Sequence, residues 1–184
     1  MSQRQPFELP MGVSTRIGAI KSLQQFAITL TSVATQSYTC APPVNPKQAI
    51  LIYHGSVEDW PGAADPSGQR ARIALAADGA SVVATRTDTS ADTTNVYGLL
   101  VEFRPGIIQS IEYGTKKPSG SAEDSVTLTT PVNPARASVF CLGCSQVGLT
   151  TIYPVYARLS TDGVTVKVRG SVNTTIGYLV VQWR

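Results

Sequence analysis

Polar and apolar residues alternate with a period of two over several short segments, and continuous apolar runs of strand length stand between them. Ser37-Tyr38-Thr39-Cys40 and Ser125-Val126-Thr127-Leu128 put every second side chain on one face, which predicts half-buried strands. Ala49–Tyr53 (AILIY) and Ala137–Cys141 (ASVFC) are apolar throughout and predict interior strands. In ARLSTDGVTVKVR (157–169) the Asp-Gly pair suits a tight turn with positive φ, and Val164, Val166 and Val168 alternate with Thr165, Lys167 and Arg169. ARIALAADGASVVATR (71–86) has the same form with one extra residue after the turn, read as a bulge.

The segments VYGLLVEFR (96–104) and IGYLVVQWR (176–184) depart from simple alternation. Leu99, Val101 and Phe103 share one face, with Val96 and Leu100 on the other; Leu179, Val181 and Trp183 oppose Ile176, Tyr178 and Val180. A strand apolar on both sides needs cover on both sides, so each is expected to face its own core and a second partner. Val96, Leu100, Ile176, Tyr178 and Val180 are therefore candidate interface residues, against a sister domain or another subunit.

These elements occur twice. PVNP stands at 43–46 and again at 131–134, and the same offset of 88 pairs Gly18 with Gly106, Ile20 with Ile108, Thr39 with Thr127, Ala49 with Ala137 and Gly55 with Gly143. Further on the offset shrinks while the landmarks keep their order: Arg72 with Arg158, Asp78-Gly79 with Asp162-Gly163, Arg86 with Arg169, and Phe103-Arg104 with Trp183-Arg184. Slippage confined to loops points to an internal duplication. The expected organisation is all-β: two tandem antiparallel β-sandwich domains, 18–104 and 106–184, joined at Pro105. Residues 1–17 lie outside the repeat and predict an extended N-terminal arm, with Phe7, Leu9 and Met11 as anchors on a neighbouring subunit.

Composition agrees with a folded β protein. Hydrophobic residues make 42% of the 184 and charged ones 15%, with 15 Gly and 12 Pro to serve turns. The net charge of +3 is spread along the chain, so no nucleic-acid surface is predicted. No apolar stretch has the length of a membrane span, and the N-terminus lacks the pattern of a secretory signal, which predicts a chain made in a cytoplasm.

Candidate chemistry is sparse. His54 is the only histidine and aligns with Leu142 at the end of a predicted strand, so it is expected to be a surface residue. Cys141-Leu-Gly-Cys144 has the spacing of a zinc or redox pair. The repeat sets these cysteines opposite Tyr53 and Ser56, and Cys40 opposite Leu128, so structural roles are expected. The loop SVEDWPGAADPSGQ (56–69) carries Glu58, Asp59 and Asp65 around Trp60, whereas the second copy has no acid there. Trp60 is thus a candidate interface anchor. Asn173-Thr174-Thr175 fits a glycosylation sequon. No pair of catalytic groups can be named, and no cofactor or metal is called for.

The recurring VNP turn, apolar strand, Ala-Arg-[Ile/Leu], Asp-Gly hairpin and final Val-[Glu/Gln]-[Phe/Trp]-Arg resemble β-sandwich modules in small structural proteins of tailed bacteriophages. Such modules resemble the haemagglutinin-type lectin sandwich, whose members associate as trimers. The resemblance implies a non-enzymatic virion protein, made in the bacterial host and assembled as a homo-oligomer, most readily a capsid decoration protein contacting the major capsid protein. A neck, collar, tail, baseplate or fibre-attachment role is the near alternative. The rival class is a carbohydrate-binding module of the receptor-binding apparatus, with Trp60, Tyr153 or Tyr156 stacking on a glycan.

Overall fold

The structure, a computed structural model, describes residues 18–59, 70–87, 89, 93–120, 122–146, 155–171 and 173–184. Phe7, Leu9, Met11, Trp60 and Tyr153 lie outside the described residues, as does the whole of the expected arm. The first half holds β1 (Ile20–Thr31), β2 (Thr35–Thr39), β3 (Ala49–Asp59), β4 (Arg72–Leu75), β5 (Ser81–Thr85) and β6 (Thr93–Phe103). The second holds β7 (Ile108–Lys116), β8 (Asp124–Thr127), β9 (Ala137–Gln146), β10 (Tyr156–Leu159), β11 (Thr165–Arg169) and β12 (Thr174–Trp183). The protein is all-β, and its strands pair antiparallel.

The order β1-β6-β3 in one sheet of the first half returns as β7-β12-β9, and β2-β5-β4 returns as β8-β11-β10. Within each half the two sheets face one another. Phe26, Ile28 and Leu30 of β1, Leu51 of β3 and Val96 and Leu100 of β6 meet Ile73, Val82 and Ala84 from the facing sheet. In the second half Ile176, Tyr178 and Val180 meet Val166 and Val168. A single bridge between Arg72 and Gly143 joins β4 to β9.

The proline-bounded turn acts as a clasp between the sheets of each half. The Val44 amide donates to the Gly79 carbonyl at 3.0 Å, and the Val132 amide to Gly163 at 2.9 Å. Both glycines have φ of 70°, in the left-handed region that favours glycine. A Cβ at Gly79 would overlap the Val44 carbonyl, and one at Gly163 the Val132 carbonyl. The Asn45 side chain accepts from the Lys47 amide and that of Asn133 from the Ala135 amide, each at 3.0 Å. These Asx turns let the chain leave one sheet and enter the next between two prolines.

The hairpins correct one part of the sequence alignment. β4 pairs with β5 through Leu75↔Val82, and β10 with β11 through Leu159↔Val166, so the connections around Asp-Gly have equal length. No extra residue follows the turn in the first half. Counted from that turn, Arg72 coincides with Tyr156, not Arg158, and Thr85, not Arg86, coincides with Arg169. Their environments differ accordingly: Arg86 is buried and donates to the Val33 carbonyl at 2.9 Å, whereas Arg158 is exposed and paired to Glu123.

Candidate functional site

One buried cluster spans both halves, and a second lies within the second half. β6 and β12 turn Val96 and Leu100, and Ile176, Tyr178 and Val180, into their own halves. Their other faces meet across the junction, where Val101, Ile50, Ile108, Leu142, Leu179 and Val181 form part of a single buried cluster. Phe103 and Trp183 touch edge to face with centroids 5.6 Å apart and planes at 77°. The Tyr113 hydroxyl crosses from β7 to donate to the Ala49 carbonyl of β3 at 2.8 Å. Burial pushes the Tyr113 phenol well above its ordinary pKa, so it stays a neutral donor.

The expected second partner of the closing strands is thus the other half of the same chain. Val96, Leu100, Ile176, Tyr178 and Val180, expected at an interface, are no more than 3% exposed and are interior to their own halves. They offer no surface to another subunit; the alternate positions on the same strands make the contact between halves.

A groove of about 710 Å³ opens where the halves meet, and Ile20, Phe103, Ile107 and Trp183 line it. Arg136 and Arg184 also line it. The chain enters and leaves this region through equivalent bonds: the Arg104 amide donates to Ala19 at 2.8 Å, and the Arg184 amide to Ile107 at 3.1 Å. The junction is lopsided, however. Ile20 is 37% exposed while its counterpart Ile108 is 2% exposed, and Leu23 is 56% exposed while Ile111 packs against the shared core. The outer face of β1 is left uncovered where that of β7 is buried.

The remaining candidates stay apart. His54 is exposed at a register shift within β3, between Tyr53 and Gly55, instead of at a strand end. Cys40 lies in the first core, while Cys141 and Cys144 pack with the second. Burial raises all three thiols above their ordinary range, which disfavours the reactive thiolate. All three are free, and no group of three metal-ligating side chains occurs among the described residues. Thr174, within the sequon, is buried and shares a 2.7 Å hydrogen bond with Ser171.

Tyr156 and Arg158 are tied to one carboxylate. The Tyr156 hydroxyl donates to Glu123 at 2.8 Å, and Arg158 makes a two-pronged contact at 2.7 and 2.8 Å. These hydrogen bonds, from Arg158 first and Tyr156 second, lower the Glu123 pKa to about 2.

Ile20, Ile107 and Arg136 are groove residues that the sequence reading did not single out. The visible signal was the twice-written aromatic-Arg pair, Phe103-Arg104 and Trp183-Arg184, which marks where the halves meet. No protein-family model, curated protein or solved structure matches this chain.

Proposed function

We propose that the chain is an internally duplicated structural protein of a tailed-bacteriophage virion, non-enzymatic and built for assembly. The observation that carries the reading is the recurrence of one strand arrangement along the chain, β1-β6-β3 with β2-β5-β4 and again β7-β12-β9 with β8-β11-β10. Phe103 lies against Trp183, its own counterpart in the repeat, while the sheets join head to tail, β4 of the first half beside β9 of the second. The recurring strand order, the paired clasps and the equivalent Arg104 and Arg184 bonds support two copies of one module. Such a fused pair presents similar outer faces to its surroundings and suits a ring or lattice of quasi-equivalent neighbours.

Within this reading the most fitting role is capsid decoration, with the protein assembled as a homo-oligomer, a trimer by the resemblance, on the major capsid protein. Immunogold electron microscopy of particles from the source lysate tests it. Label over heads is the expected outcome. Label confined to neck or tail would move the protein to ring or fibre attachment, and particles without label would overturn the virion role. The glycan-binding rival would then be tested on a glycan array, with Tyr156→Ala as the variant expected to abolish binding.

A further inference from the structure

Ile20 belongs both to the exposed face of β1 and to the lining of the junction groove, and the described chain begins two residues before it, at Gly18. In the second half the corresponding apolar positions, Ile108 and Ile111, are packed against the shared core; in the first half Ile20 and Leu23 have no such cover. The groove is lined by apolar side chains and two arginines, and none of the described residues lining it is acidic. A complementary occupant is an extended apolar segment with one carboxylate.

Residues 6–11 of this chain, Pro-Phe-Glu-Leu-Pro-Met, have that chemistry. Phe7, Leu9 and Met11 supply apolar area, and Glu8 is the only acid among the first 17 residues. Pro6 and Pro10 fix φ and lack an amide donor, which favours lying along a groove over adding to a sheet edge. From Gly18 back to Met11 an extended chain reaches roughly 3.3 Å per residue, enough to fold back over Ile20 into the groove.

We infer that residues 6–11 seat in the junction groove of their own chain, Phe7 and Leu9 against Ile20, Phe103 and Trp183, with Glu8 between Arg136 and Arg184. The short tether gives the segment a high effective concentration at its own groove, which favours this seat over that of a neighbouring subunit. The inference stands apart from the virion role, because it concerns how the chain covers its own surface.

Trp183 reports on the groove directly. In a Trp60→Phe background its emission and acrylamide quenching are compared between the full chain, a variant lacking residues 1–14, and Phe7→Ser/Leu9→Ser. Both variants should show red-shifted emission and faster quenching, with unchanged far-ultraviolet circular dichroism. Glu8→Arg should do the same, and Arg136→Glu/Arg184→Glu combined with Glu8→Arg should restore the original emission. Emission that is identical with and without the segment would overturn the proposal. A red shift of the full chain on dilution, with dissociation seen by light scattering, would also overturn it and place the segment in a second copy.

Discussion

Asn45 and Asn133 begin the same task in both halves, and one side chain from each closing strand completes it. Glu102 accepts from the Asn45 amide at 3.0 Å and from Lys21 at 2.9 Å. Gln182 accepts from the Asn133 amide at 3.3 Å and donates to Gln109 at 2.9 Å. Lys21 and Gln109 are counterparts, so a charged pair in one half is matched by a neutral amide pair in the other. Burial alone would raise the Glu102 pKa, but the Asn45 amide, Lys21 and Ser22 together bring it below the ordinary carboxylate value. A lowered folded pKa gives stabilisation that is present above the unfolded pKa and lost as pH falls through the folded one. Stability measured by urea denaturation should therefore fall below about pH 4.3, the ordinary glutamate value. Glu102→Gln should shrink that fall, since Gln182 shows that an amide can hold the turn. An acid profile unchanged by the substitution would refute this role for Glu102.

The clasp glycines are sensitive for two reasons, conformation and space. Gly79→Ala or Gly163→Ala must adopt positive φ and displace a backbone carbonyl, and each should cost more than about 2 kcal/mol. Gly106 also has positive φ, 94°, but open space around it, so Gly106→Ala should cost only about 1 kcal/mol. Denaturant midpoints of the three variants would test the ordering.

Strand pairs show a correspondence that no single position carries. Phe26 of β1 lies opposite Gly98 of β6, and Gly114 of β7 lies opposite Tyr178 of β12. A Cβ at Gly98 would come within 2.5 Å of the Phe26 ring, and one at Gly114 would overlap Tyr178. Each half needs one ring lying over one glycine, but the strands exchange which supplies which. A bare glycine in a strand loses packing that a cross-strand ring restores. Phe26→Ala should cost about 3–5 kcal/mol. Phe26→Gly combined with Gly98→Tyr, the arrangement of the second half, should not recover that loss in thermal unfolding, because a Cβ at Gly98 would also come 2.6 Å from the Ile52 carbonyl. A double variant more stable than Phe26→Gly alone would show that the rings are interchangeable after all.

The alternation of β1 was legible in advance: Phe26, Ile28 and Leu30 are buried between exposed Gln25, Ala27 and Thr29. Beyond Ser22 the residues of this strand are not repeated in the second half, so the repeat does not reveal it. The charge pairs were the opposite case. Identical arginines suggested equivalence, yet counting from the hairpin turn separates them. Registers are set by hydrogen-bonded pairing, which residue identity does not reveal.

At the scale of the molecule, the shared core makes the halves one cooperative unit. Leu179 and Val181 of β12 are fully buried in the same cluster as Val101 and Ile50. Calorimetry should accordingly give a single transition with equal calorimetric and van't Hoff enthalpies. Trp183→Ala removes the ring that bonds Ser138 at 3.0 Å and packs on Phe103, and should cost about 3–5 kcal/mol. Two resolved transitions in the unaltered protein would contradict a shared core.

The sequence by itself determined the strand class and the paired turns, because period-two patterning, proline and Asp-Gly act locally. It also showed that β6 and β12 need cover on both faces. Which face turns inward, and what covers the other, was decided only by tertiary structure. Both faces are apolar, so the pattern is indifferent between them, and the choice depends on register and on how closely the two halves approach. The same approach buried Ile108 and left Ile20 exposed, a difference between matched residues that arises from the lopsided packing of one half on the other.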